Sequence, residues 1–426
     1  MQIIAVMNRA SISLAGVVAV SLGNALAFYD FFVYSYFAIQ IGHAFFPGTQ
    51  ASHGLLLSLA SFGVGFITRP LGGVVIGRYG DRAGRKAAML WSFVLMGVAV
   101  VGLALTPSFA LIGWFAPALL LAVRLLQGFA VGGEVGPSTA FLLESAPRQR
   151  RGLYVSLQLA TQYVAVIMAG GVGFILSRCL SADQLDAWGW RIALLLGGVL
   201  VPVGIYIRRR LPETLEAEGK GRVPTAPVRL PRRLLVRALM VLSGGTMCGY
   251  TISYMTTYAQ DTLHLGANAA FGTPIAEGVA AICLAPLGGW LSDRLGRKPV
   301  ALAGLGALLL LVVPCYYALV SWQSAWLVYG VTALLSGLMG IFYVPAFAGV
   351  VESLPQASRS GAVAILYAVA GAVFGGFTQF AVQWLLETTG SPVSPAWYMT
   401  AGLAMAAVGM IGLQESAPCK NTRHTD

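Results

Sequence analysis

Two stretches of the chain decide how it folds: Gly77-Arg-Tyr-Gly-Asp81-Arg82-Ala-Gly84-Arg85-Lys86 and Gly289-Trp-Leu-Ser-Asp293-Arg294-Leu-Gly296-Arg297-Lys298. Both are basic turns that follow a long apolar run. The second begins 212 positions after the first, almost half of the 426 residues. One such loop alone is a weak signal. Two at matching places indicate an internal duplication, in which each half repeats the same succession of helices.

Outward from these loops the chain is apolar almost throughout. Hydrophobic residues make up 57% and charged residues 10%, and the mean hydropathy is +0.76. A soluble domain carries about 25% charged residues, so a soluble fold is excluded. Apolar helical stretches fall at about 12–38, 55–79, 87–106, 111–137, 152–177 and 189–208, then at about 234–260, 269–292, 299–320, 325–350, 360–386 and 394–413. Twelve spans of ~20 residues use roughly 240 residues and leave only short connections. The first stretch is too long for a signal peptide, lacks a small-residue cleavage site and carries Asp30. The expected architecture is an all-α integral membrane protein with twelve transmembrane helices in two six-helix halves.

The formal net charge is +11, from 27 Lys and Arg against 16 Asp and Glu. With both termini placed in the cytoplasm, 23 of the 27 basic residues fall on that side. They lie in the two quoted loops, at Arg148, Arg150 and Arg151, in the central stretch from Arg208 to Arg237, at Arg359 and near both ends. Only Arg178 and Arg191 fall on the other side, while Arg69 and Arg124 lie inside spans. This bias sets the orientation of a membrane protein. The basic excess is therefore topological, with the lipid bilayer as partner and no nucleic acid. The stretch 209–233 is the one long polar segment and divides residues 1–208 from 234–426. The five cysteines are scattered without CxxC spacing, which reads as no disulfide framework and no metal site.

With these features together, the chain is identified as resembling a major facilitator superfamily transporter, whose best-known motif the paired loops match. Finer segments resemble its metabolite:proton symporter branch: Gly23-Asn24 with Tyr29-Asp30-Phe31-Phe32, then Arg69-Pro70-Leu71-Gly72-Gly73, Arg124-Leu-Leu-Gln127-Gly128, Gly132-Gly133-Glu134, Trp188-Gly189-Trp190-Arg191 and Glu352-Ser-Leu-Pro355. Within that branch the chain is most similar to bacterial citrate–proton and tricarboxylate symporters, through Gln158, Gln162, Tyr254–Tyr258 and Phe374-Gly375-Gly376. One position departs from the pattern. Ala27 stands where the family usually places a glutamate, three residues before the first-helix aspartate. The resemblance implies that the paired loops form an interdomain latch, in which Asp81 and Asp293 engage a neighbouring helix N-terminus and nearby arginines. Arg82, Arg85, Arg294 and Arg297 supply the basic side. Gly77, Gly84, Gly289 and Gly296 allow the tight turns.

Five charged residues, Asp30, Arg69, Arg124, Glu134 and Glu277, sit within apolar spans. Each costs about 2.5–3.5 kcal/mol near a helix centre on insertion scales, or roughly 12–17 kcal/mol for the five. Two readings account for them: internal ion pairs that fix helix packing, or substrate and proton handling in a wet cavity. Helical spacing aligns Arg124, Gln127, Val131 and Glu134 on one face. Ser243, Tyr250, Tyr254, Thr257 and Tyr258 form a hydroxyl-rich face on the seventh span. Gln158 and Gln162 are one turn apart on the fifth, and Tyr367, Gly371, Phe374 and Thr378 line the eleventh. For the tyrosines an interfacial belt is the other reading, and it suits Tyr258 better than Tyr250 or Tyr254.

All four histidines lie in connections or the tail, and no lysine lies within a span. A proton carrier within the membrane must then be a carboxyl group. Asp30 and Glu134 are the first candidates, on family motifs, with Glu277 as a third. Arg69 and Arg124 suit bidentate recognition of a carboxylate. The expected function is proton-coupled import of a small carboxylate, citrate or a related tri- or dicarboxylate, by alternating access. The expected setting is the bacterial inner membrane, with a monomer, no cofactor and no enzymatic chemistry. The alternatives are symport of a zwitterionic osmolyte or siderophore-like carboxylate, and drug/proton antiport. Against antiport stands the fifth span, which has Gly170-Gly171 and Gly173 but no Gly-Pro pair.

Overall fold

The apolar runs fold as helices because only a helix satisfies its own N–H and C=O groups in hydrocarbon. The structure, a computed structural model, describes residues 28–47, 51–83, 85–132, 146–209, 230–355 and 359–417. Among the described residues twelve principal helices follow one another, with short helical turns between some of them, and there is no strand. Helix α1 takes in residues 28–36 and, past a bend at Phe37, Ala38–Phe45. Helix α2 is Ala51–Ile67 continued past Thr68 as Arg69–Ala83, and α3 is Arg85–Leu105. The others of the first half are α4 Phe115–Val131, α5 Arg151–Cys179 and α6 Trp190–Arg209. Then come α7, Arg232–Ser253 with its continuation Met255–Asp261, α8 Gly272–Leu295 and α9 Arg297–Ser321. Helix α10 is Ala325–Glu352. Helix α11 is Arg359–Ala370, a π-helical turn Gly371–Gly375 and Thr378–Thr389, and α12 is Ser394–Gly412.

Within the described residues the helices fall on the expected spans, the first being described only from residue 28 and the fourth only to residue 132. The differences are local. Helix α1 runs to Phe45 rather than ending near 38, because Gly42 lets its backbone lie against Gly54 of α2. Helix α4 starts at Phe115, after Gly113 with φ of 57° has broken the preceding turn. Proline sits inside α6, α8, α9 and α10 at Pro202, Pro286, Pro314 and Pro345. Such breaks in the hydrogen-bond ladder are tolerated in membrane helices because neighbours satisfy the freed groups. Residues 12–27, including Gly23, Asn24 and Ala27, lie outside the described residues, as do 210–229, Glu134 and Cys419.

Buried side chains gather in two apolar cores. One is built mainly from α1 to α6 around Phe28, Tyr29, Phe62, Phe93, Leu120 and Trp190, and the other mainly from α7 to α12 around Leu242, Tyr258, Tyr316, Phe342 and Leu403. The outside is also apolar. Leu105, Phe115, Ile175, Val199, Leu310, Trp326 and Ile411 are exposed, as expected of a surface whose solvent is lipid. The two groups of helices meet mainly along α5 and α8, and along α2 and α11. The α5–α8 seam is glycine-rich at both ends: Gly152 against Gly289 near the basic loops, and Gly170 against Pro274 near the opposite face.

Candidate functional site

The centre of the first half is built by α1, α2 and α4. A Cβ on Gly128 would overlap the Gly65 carbonyl, and one on Gly132 would overlap that of Arg69. Helices α2 and α4 therefore touch backbone to backbone. Thr68, at the break in α2, seals the seam by donating its hydroxyl to the Leu125 carbonyl at 2.6 Å. The seam brings the guanidiniums of Arg69 and Arg124 into one cleft, lined also by Phe28, Phe31, Phe62, Gln127 and Val131. The spacing of Arg124, Gln127 and Val131 thus corresponds to one wall of this cleft.

Asp30 of α1 faces that wall and is 3% exposed. Asp30 and Arg124 do not pair directly. Gln127 stands between them: its Nε2 donates to Asp30 Oδ2, and its Oε1 accepts from Arg124 Nη1. The guanidinium of Arg124 lies 3.2 Å from the centre of the Tyr34 ring, and that of Arg69 lies 3.7 Å from Phe66 and 5.0 Å from Phe31. Tyr34 is anchored in turn by Ser61 Oγ and the Ser58 carbonyl. Aromatic faces hold a cation without consuming its N–H donors. Arg69 Nε, Arg124 Nε, Arg124 Nη2 and Asp30 Oδ1 are all buried without a hydrogen-bond partner among the described residues. Left that way, each buried polar group costs about 1–3 kcal/mol, and more if charged. The cleft is thus arranged to receive an anion.

Other expected residues are placed as follows. Tyr250 of α7 closes the cleft from the second half, its ring 5.7 Å from Phe66 and 6.0 Å from Phe31, and Tyr367 of α11 comes within electrostatic reach of Arg69. Tyr254 does not join them. Its hydroxyl donates to Gln383, which also donates to Asp261 at 3.2 Å and Glu387 at 3.1 Å. Thr378 returns its hydroxyl to the Phe374 carbonyl one turn back and meets Tyr398 at 3.2 Å. Thr257 is buried in the second core, and Gln162 is half-buried on α5. Glu277 lies on α8, apart from the Asp30 cleft, where it accepts from Ser253 at 3.0 Å. The side chain of Gln158 lies outside the described set. Spacing did not single out Tyr34, Ser61, Phe62 and Phe66, although Tyr34 is one helical turn from Asp30 and Phe62 and Phe66 are on the Arg69 helix. Gln379 was also missed; it donates to Ser35 of α1 at 2.6 Å.

The second basic loop joins the halves. Asp293, at the end of α8, accepts from the backbone N–H of Gly152 at 2.9 Å and Leu153 at 3.0 Å, so it caps the first turn of α5. A carboxylate is favoured at that positive end. Arg297 donates to Asp293 at 2.6 Å and takes Glu352 of α10 in a two-point contact at 3.0 and 3.1 Å. Gly296 has φ of 111°, a conformation that L side chains rarely adopt, and Arg294 points away to stack 4.1 Å from the Trp290 ring centre. In the first loop Gly77 is exposed, and among the described residues nothing lies against it. Gly84 and the side chains of Asp81, Arg82 and Arg85 lie outside the described set. Two histidines expected in connections fall at helix ends instead, His43 in the last turn of α1 and His53 in the first turn of α2. At the opposite face His43 bonds Asp186 at 2.9 Å, and that hydrogen bond holds the imidazole above its usual range.

With this geometry in hand, comparison with known proteins is informative. The sequence model of the Major Facilitator Superfamily matches residues 20–379. A citrate-proton symporter of Klebsiella pneumoniae is 32% identical over 393 residues, 91% of this chain and 88% of that protein. An alpha-ketoglutarate permease of Escherichia coli (strain K12) is 34% identical over 390 residues, 90% of each. Among solved structures, a D-xylose-proton symporter superposes with a TM-score of 0.76 over 95% of this chain and 98% of that one, at 18% identity. At that identity the likeness shows the twelve-helix fold alone.

Proposed function

We propose that this chain, which belongs to the Major Facilitator Superfamily, is a proton-coupled symporter that imports a small carboxylate, citrate or a related tri- or dicarboxylate, across the bacterial inner membrane. The observation that carries this reading is the pair of buried guanidiniums, Arg69 and Arg124, held on aromatic faces with some of their N–H donors unmet among the described residues. A carboxylate suits such a site, because guanidiniums match carboxylates in geometry and charge. The names of the citrate and alpha-ketoglutarate relatives agree with this chemistry.

Coupling follows from Gln127. With Asp30 ionised, the acid holds Gln127 by its amide N–H, and the same side chain turns its carbonyl to Arg124. A proton on Asp30 removes the charge that the amide donor faces. Gln127 then lets go of Arg124, whose guanidinium becomes available to a substrate carboxylate. Proton and substrate therefore favour each other's binding, and by linkage the effect is reciprocal. Residues 1–208 and 234–426 act as two rocking halves joined by 209–233. The latch from Asp293 to α5 holds the face with the basic loops closed, and the Lys and Arg bias assigns that face and both termini to the cytoplasm. Glu134, outside the described residues, is taken from its sequence motif as a further candidate carboxyl for the proton. The unit of function is the monomer.

Labelled-citrate counterflow in proteoliposomes tests the reading. Asp30→Asn is expected to exchange citrate but not to concentrate it, and Arg124→Lys to lose exchange. Accumulation by Asp30→Asn at the wild-type level, or by the wild type in the presence of a protonophore, would exclude the coupling.

A further inference from the structure

A second buried carboxyl group lies apart from the cleft. Glu277 is 4% exposed, on α8 one turn inward from the place where α8 meets the first half at the opposite face. There Phe271 packs 4.7 Å from Phe37 of α1 and against Gly173 of α5, and Pro274 packs against Gly170. One turn further in, Gly278 lies against the Tyr163 carbonyl and Ile167 of α5.

The groups that face the Glu277 carboxyl come from every helix packed there. Helix α7 supplies Ser253 Oγ, donating at 3.0 Å. Helix α1 brings the phenol of Tyr36, and α5 that of Tyr163, both within electrostatic reach. Cys248 of α7 lies within electrostatic reach of Tyr163. Helix α10 contributes Ser336, whose hydroxyl goes to the backbone carbonyl of Glu277 at 3.0 Å, leaving the carboxyl to the others. Among the described residues no Lys, Arg or His pairs with this carboxyl. The hydroxyl of Tyr36 is buried beside Ser253. A buried carboxylate is tolerated where a cation or several donors meet it; here, among the described residues, one hydroxyl donates to it. The packing of α8 on α1 and α5 thus encloses this acid in a form that a negative charge would oppose.

We propose that Glu277 is a proton-binding site that governs closure of the opposite face: protonated, it lets α8 pack against α1 and α5; ionised, it drives them apart. The proton adds to the carboxylate and leaves from it, with no other bond changed. The transport consequence rests on the symport reading above. A carrier that has taken no proton cannot close the opposite face, and one that has released its proton on the other side is pushed to reopen. Asp30 and Glu277 then divide the work, the first acting on substrate affinity and the second on the gate.

Closure is measurable without substrate. Spin labels at Pro47→Cys, two residues past the end of α1, and Asn268→Cys beside α8, in a chain whose native cysteines are replaced by serine, report the gap by pulsed electron–electron distance measurement. In the parent sequence the short-distance population is expected to grow as pH falls between about 9 and about 5. Glu277→Gln is expected to stay short throughout, while Glu277→Asp and Asp30→Asn keep the pH dependence. A pH-independent distance in the parent, or a Glu277→Gln profile that follows it, would overturn the proposal, as would loss of the dependence in Asp30→Asn alone. If Glu277→Gln fails to fold, the parent and Glu277→Asp profiles still decide it. Uptake that needs no proton gradient, alongside a gap that still titrates, would refute the symport reading and leave the gate standing.

Discussion

Replacing Gln127 by Leu removes the one side chain between Asp30 and Arg124 while filling nearly the same volume, so the two charged groups stay apart. The substitution deletes two hydrogen bonds to charged groups, each worth about 1.5–3 kcal/mol. If Gln127 transmits the state of Asp30 to Arg124, it carries a coupling energy of about 1–3 kcal/mol, or roughly 5–150-fold in affinity. The assay is citrate binding to the purified transporter by titration calorimetry at about pH 5.5 and about pH 8, on either side of the range in which a buried carboxyl group titrates. The parent is expected to bind more tightly at the lower pH by a factor in that range, over and above the protonation of citrate itself, which a pH series on Asp30→Asn measures. In Gln127→Leu the excess is expected to fall to about twofold or less, with counterflow retained as evidence of a folded site. An unchanged pH ratio in Gln127→Leu would refute the relay.

Three further outcomes follow from the same structure. Asp293→Asn weakens the cap on α5 and strips Arg297 of one carboxylate; breaking a buried pair costs about 3–5 kcal/mol, and a cysteine label placed on the basic face beside α5 is expected to react faster. Gly128→Ala forces α2 from α4 where Arg69 and Arg124 converge, and since a displacement of about 1 Å costs on the order of 10²-fold at such sites, citrate affinity is expected to fall at least tenfold while the protein still elutes as a monodisperse peak. The His43–Asp186 contact is stabilising at pH values below the ordinary histidine range, where both folded and unfolded imidazole carry the proton, and is lost as pH rises through the elevated value in the folded chain; thermal melts of the parent and Asp186→Asn are therefore expected to converge on the alkaline side and separate on the acid side.

Much of this architecture was legible from hydropathy and charge. Twelve apolar runs and a repeated basic loop are signals that a bilayer imposes on any chain that crosses it. The α4 stripe was also legible, because a helix turns Arg124, Gln127 and Val131 to one side whatever surrounds it. What a period cannot say is which neighbour that side meets. Tyr254, Thr257 and Thr378 share the hydroxyl chemistry of a cavity wall, yet Tyr254 bonds Gln383 and Thr378 satisfies its own helix through the Phe374 carbonyl. A hydroxyl in hydrocarbon has that local option, whereas a guanidinium does not, and so the arginines were the better guides. The aromatic platform of Tyr34, Phe62 and Phe66 left little trace, since aromatic residues in a transmembrane helix look like any other apolar filling. The role of Gln127 as an intermediary was equally hidden: the sequence places an arginine near an acid, and only the packing of α1 on α4 shows that an amide separates them.

The central claim is that a proton and a carboxylate cross together, and external pH in lightly buffered proteoliposomes measures it most directly. Adding citrate to the outside, with no imposed gradient, should make the medium more alkaline as label enters, in a fixed ratio that Asp30→Asn abolishes. Citrate entry with no movement of external pH beyond that of empty liposomes would contradict the account.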